Sequence, residues 1–151
     1  MTEKKMKIFV DVRPATVLSV YEKKLKPKLI KALGKSAKTA LSKSSAVTLS
    51  KPSGWKKEKD KGFVLNITLV ALTKKVVKKE IFLSAEVKTL IAHMKNGLMV
   101  RKMPVGTTTV KISATQKKID GDAIFSAEHA IATVIKKDLV PLMQKTPMPK
   151  N

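Results

Sequence analysis

Apolar and polar residues alternate along most of this chain, and helical spacing takes over in two stretches. Within residues 6–12, Ile8, Val10 and Val12 share one face, which predicts a short strand that Pro14 ends. Residues 15–42 read as a helix. Val17, Tyr21, Leu25, Leu29, Leu33 and Ala37 recur at intervals of four, and Leu18, Ile30, Ala40 and Leu41 widen the stripe. Thr16 is placed to cap its start. Pro27 lacks a backbone N–H and clashes with the preceding turn, so it kinks this helix or opens a second one at its first position. Gly34 is a candidate early end, although the apolar spacing continues to Leu41.

Residues 45–50 form a plausible strand, and 51–62, KPSGWKKEKDKG, a charged loop with Pro, Gly and the single tryptophan, Trp55. Residues 63–73 read as a strand with Phe63, Leu65, Ile67, Leu69 and Ala71 on one face. Between about 77 and 94, Ile81, Leu83, Ala85, Val87, Thr89 and Ile91 alternate with Phe82, Ser84, Glu86, Lys88 and Leu90. A helix over 84–96 is the rival reading. The long period-two match and the hairpin dipeptide Asn96-Gly97 favour a strand. Residues 98–103 and 107–114 add one strand or two around Pro104 and Gly106, and 115–122 read as a turn. The last element is a helix over about 124–144, carried by Ile131, Val134, Ile135, Leu139, Leu142 and Met143, capped by Asp122 or Ser126 and bent or ended by Pro141.

Consecutive strands joined by tight turns, with two amphipathic helices, predict an α+β two-layer sandwich. Its sheet is mainly antiparallel, of four to five strands, packed against an N-terminal helix (15–42) and a C-terminal helix (124–144). One domain over 1–145 and a mobile tail over 146–151 are expected.

Charge changes this picture. The chain has 151 residues, 32 of them basic and 11 acidic, for a net charge of +21. The whole excess lies in residues 1–118, and 119–151 are neutral. Hydrophobic residues make up 43% of the chain, so the charge belongs to a folded domain and not to a basic tail. Self-repulsion works against the compact state, and a polyanionic partner is the simplest reason to tolerate it. Only Arg13 and Arg101 are arginine. Lysine supplies point charge, whereas guanine edges and bidentate phosphate clamps favour the guanidinium fork.

Candidate polyanion contacts fall into three groups. Lys23, Lys24, Lys28, Lys31, Lys35 and Lys38 lie on the first helix, where Glu22 is the sole acid. Trp55, Lys56, Lys57 and Lys59 lie in the loop, where a ring among ammonium groups is the pattern of single-strand stacking, with packing of the ring on the core edge as the commoner alternative. Lys74, Lys75, Lys78 and Lys79 surround a turn.

Catalytic and cofactor signatures are missing: phosphate-binding glycine loops, nucleophile elbows and zinc-binding histidine pairs do not occur. There is no cysteine, which removes disulfides, thiolate nucleophiles and cysteine metal sites. His93 and His129 stand on different elements, and Asp120, Asp122 and Glu128 suit a helix start better than a magnesium site. No cofactor or metal is expected, and an enzyme acting on an acidic substrate ranks third.

The leading expectation is a non-enzymatic basic domain that engages a polyanion, with nucleic-acid backbone, read with little sequence specificity, as the first candidate. The alternative is a structural or assembly component, envelope-associated or part of a phage or secretion machine, using its basic surface on acidic lipid, polysaccharide or protein. In outline, a long hairpin followed by a C-terminal amphipathic helix resembles small bacterial envelope-associated domains. The basic start, residues 1–7, precedes only a three-residue apolar run, so a cytoplasmic location is expected, with the envelope as alternative if a signal peptide has been removed. An exposed edge strand would allow copies to pair.

Overall fold

The computed structural model describes residues 7–50, 54, 62–95 and 98–145, with residues 93–95 and 98–107 described at the level of backbone alone. Strands β1 (Ile8–Val12) and β2 (Thr16–Val17) lead to helix α1 (Lys26–Ser42), followed by β3 (Val47–Thr48). Three long strands come next, β4 (Gly62–Val77), β5 (Glu80–Lys95) and β6 (Leu98–Ala114). Helix α2 (Ile119–Val134) continues through a wide π turn (Ile135–Leu139) into α3 (Val140–Lys145).

The sheet order is β3-β1-β4-β5-β6, with β2 also paired to β4. β4, β5 and β6 form an antiparallel meander, while β1, β2 and β3 pair in parallel. Both helices pack on one face, so the fold is the expected α+β two-layer sandwich. The parallel N-terminal edge is an addition to the expected pattern.

The core sits between sheet and helices. Period two brings Val10, Phe63, Leu65, Ile67, Leu69, Leu83, Ala85, Val87 and Ile91 to the helix side. Leu25, Leu29, Leu33, Ala37 and Leu41 supply the facing stripe. Ala123, Ser126, Ala127 and Ala130 are buried, and such small side chains let α2 approach closely. Ser36 Oγ donates to the Glu128 carbonyl at 3.1 Å, linking the helices, which run side by side in the same direction.

Three sequence expectations are corrected, and one open alternative is decided. Residues 15–22 are not helical. Their backbone hydrogen-bonds to the outer side of β4, with Leu18 N donating to Leu69 O at 2.9 Å, Leu72 N to Ser19 O at 2.9 Å and Tyr21 N to Leu72 O at 3.0 Å. The unpaired edge of β4 offers these residues a ladder that an isolated helix cannot match. Pro27 accordingly sits in the first turn of α1, the one place where its missing donor costs nothing, and Gly34 lies inside the helix.

In β4, the register shifts between Leu69 and Ala71, so Leu72 and not Ala71 enters the core. Residues 98–114 form a single strand, with the irregularities absorbed as bulges opposite Thr89 and Ile91. Finally, α2 begins five residues earlier than the spacing suggests, and neither Asp122 nor Ser126 caps it. Asp120 and Asp122 lie in its first turn, where carboxylates favour the helix dipole. Pro141 does not end the helix. The π turn just before it widens the backbone where the ring would otherwise meet the carbonyl of Lys137.

A basic pole as the candidate functional site

Three separate segments meet at one end of the sheet. β1 and β2 run beside β4 as far as the Val20–Leu72 bridge, and the chain then turns through Lys23–Leu25 into α1. β4 continues past this point to the hairpin with β5. β6 arrives from the other side, with Ala114 opposite Ile81, and turns through Gln116–Lys118 into α2. Lys23, Lys24 and Lys26 of the first segment, Lys74, Lys75, Lys78 and Lys79 of the second, and Lys117 and Lys118 of the third are all exposed.

Both long helices start here. Neither N-terminus receives a side-chain cap hydrogen bond, and α1 has no acidic residue in its first turn. Each free helix start carries about half a positive charge. Two such ends add to nine ammonium groups, against Glu22, Glu80, Asp120 and Asp122.

A cleft of about 320 Å³ lies between the segments, lined by Tyr21, Glu22, Lys24, Lys74, Lys117 and Asp120 among others. Lys24 Nζ stands 3.8 Å from Asp120 Oδ2, an exposed pair that contributes little to stability. Lys74 Nζ lies 6.0 Å from the centre of the Tyr21 ring, at the outer limit of a cation–π contact. The Tyr21 hydroxyl is itself buried with no hydrogen-bond partner among the described residues. Burial raises its pKa above the ordinary 10.0, and the charges of Asp120 and Glu22 add to the rise.

Of the residues that the sequence singled out, Lys23, Lys24, Lys74, Lys75, Lys78 and Lys79 are brought together. Lys28, Lys31, Lys35 and Lys38 are exposed along α1, whose 17 residues carry them progressively away from the pole over about 25 Å. Trp55, Lys56, Lys57 and Lys59 lie outside the described residues. Lys117 and Lys118 belong to the pole but read in sequence as ordinary turn residues. Their signal was their place immediately before a helix start that the sequence put five residues too late.

The acidic and histidine residues weighed for chemistry have other surroundings. Asp120 faces Lys24, and His129 stacks on Phe125 with ring centres 5.9 Å apart. The helix-free face of the sheet bears a shallow groove of about 580 Å³ whose lining includes Leu18, Asn66, Thr68, Val70, Glu86 and Lys88.

No family model and no curated relative matches the chain. Solved structures do share its shape. A hypothetical protein from Chlamydia trachomatis is similar at 9% identity and a TM-score of 0.55, over 87% of this chain and 95% of that one. A minor lipoprotein from Acinetobacter baumannii is similar at 13% identity and 0.49, over 96% and 97%. A lipoprotein from Neisseria meningitidis is similar at 12% identity and 0.44, over 85% and 99%.

These likenesses are of fold. Two of the three proteins are named lipoproteins and none is named for nucleic acid, which corrects the leading expectation of a nucleic-acid backbone as partner.

Proposed function

We propose that this protein is a non-enzymatic structural or assembly component of the bacterial envelope that holds an acidic macromolecule at its basic pole. The observation that carries this reading is the convergence of lysines from three chain segments on the uncapped starts of α1 and α2. The pole gathers ammonium groups and helix ends, which attract and hold. A lipid surface, an acidic polysaccharide and an acidic protein all supply the complementary charge. The outer edge of β6 belongs to the same reading: a 17-residue strand with one described neighbour offers a ladder on which copies could pair in an assembly.

The test is binding to phosphatidylglycerol vesicles and to a soluble polyuronate, each at low and at moderate salt. Binding to at least one of them is expected at low salt, with a steep loss as the Debye length shrinks from about 30 Å at 0.01 M to about 8 Å at 0.15 M. No binding to either, or binding indifferent to salt, overturns the proposal.

A further inference from the structure

The tip of the β4–β5 hairpin carries more than charge. Eight successive residues, Thr73 to Glu80, are exposed. The β2 side of β4 ends at the Val20–Leu72 bridge, so beyond it the hairpin runs on with this edge of β4 open. On it stand three large apolar side chains: Val76 is 59% exposed, Val77 40% and Phe82 36%. Val77 and Phe82 lie diagonally on one face, since Val77 pairs with Glu80 and Lys75 with Phe82. Val76 is on the other face, opposite Ile81.

The turn between the strands is Lys78-Lys79, with φ of 47° and 68°. Both values fall in the left-handed region that a type I′ hairpin requires and that Asn-Gly serves best. Lysine at both positions is a strained choice, and it sets two ammonium groups at the extreme end of the molecule. Strain of this kind persists where function needs the residue.

Apolar side chains ringed by lysines match one acidic surface in particular. An anionic bilayer offers phosphates to the ammonium groups and, just beneath them, an apolar layer for valine and phenylalanine. Lysine stems lie along that boundary while their charges stay in the headgroups. A hydrated polysaccharide gives Val76, Val77 and Phe82 nothing to enter.

We infer that residues 74–82 form a membrane-docking tip: Val76, Val77 and Phe82 enter the headgroup boundary of an anionic leaflet, and Lys74, Lys75, Lys78 and Lys79 meet lipid phosphates. This rests on the envelope reading above and names lipid as its acidic partner.

The experiment is co-sedimentation of the whole chain with mixed phosphatidylglycerol–phosphatidylcholine vesicles, with phosphatidylcholine vesicles alone, and polyuronate binding in parallel. The wild type is expected on the anionic vesicles only. The double variant Val76→Ser, Val77→Ser should lose roughly tenfold or more in vesicle affinity, from the lost apolar transfer, and keep its polyuronate binding. The double variant Lys78→Asn, Lys79→Gly should melt at a higher temperature because the turn strain is relieved, yet bind vesicles more weakly, which separates docking from folding. Wild type that binds polyuronate but not vesicles overturns the docking tip and leaves the envelope reading standing. Wild type that binds neither overturns both. Vesicle affinity unchanged in the valine variant also overturns the tip, since adsorption is then electrostatic alone.

Discussion

Tyr21 shows how single residues of the pole acquire properties that no local pattern contains. In the sequence it continues an interval-of-four stripe with Val17 and Leu25. In the fold it is the residue at which the strand edge turns toward α1, and its hydroxyl is buried near Asp120, a residue 99 positions away in the chain. Burial first, then the charges of Asp120 and Glu22, disfavour the phenolate. The folded-state pKa is thus raised, so the stabilising contribution is complete below pH 10 and is lost as pH rises through the folded-state value. Tyr21 is the only tyrosine, so ultraviolet titration of the folded chain reads it directly and should give a midpoint above 10.0. Stability measured against pH should fall more steeply above 10 in the wild type than in Tyr21→Phe.

At the scale of elements, burial followed the alternation pattern along most of β5, whereas Ile8–Val10 and Phe63–Leu65 are buried on both faces. Ile81 to Ile91 show it: every second residue is buried, and the strand outcompetes the rival helix because β4 and β6 supply ladders on both sides. The pattern failed where a bulge or a neighbouring edge intervened. The shift between Leu69 and Ala71 exchanges Ala71 for Leu72 in the core, and nothing in the local spacing marks it. Leu72 is 1% exposed, so Leu72→Ala should cost about 2–5 kcal/mol in chemical denaturation, the range for a large-to-small change in a packed core. An Ala71→Ser change on the half-buried side should stay within about 0.5 kcal/mol. A large effect at Ala71 and a small one at Leu72 would contradict the register. Residues 15–22 failed for a related reason: their helical spacing was real, but the open side of β4 was a stronger competitor for their hydrogen bonds.

For the molecule as a whole, the net charge of +21 has two opposed consequences. Repulsion among the lysines destabilises the compact state, while the same lysines hold an acidic partner. Added salt should therefore raise the thermal midpoint of the free protein over the range from about 0.01 to 0.15 M and weaken partner binding over the same range. A thermal midpoint that falls with salt would show that ion pairs such as Lys24–Asp120 outweigh the repulsion. The amino-acid sequence by itself determined the layer architecture, the buried faces of α1 and the long strands, and the restriction of the positive excess to residues 1–118, because these follow from periodicity and composition. It also marked most of the lysines that matter. The tertiary structure alone decided that the chain before α1 is strand, that α1 and α2 start at the same end, and that Lys117 and Lys118 join Lys23, Lys24 and the hairpin lysines there. Those outcomes depend on which sheet edges stand open and on where distant segments come to rest, and both are set by long-range pairing that local spacing does not encode.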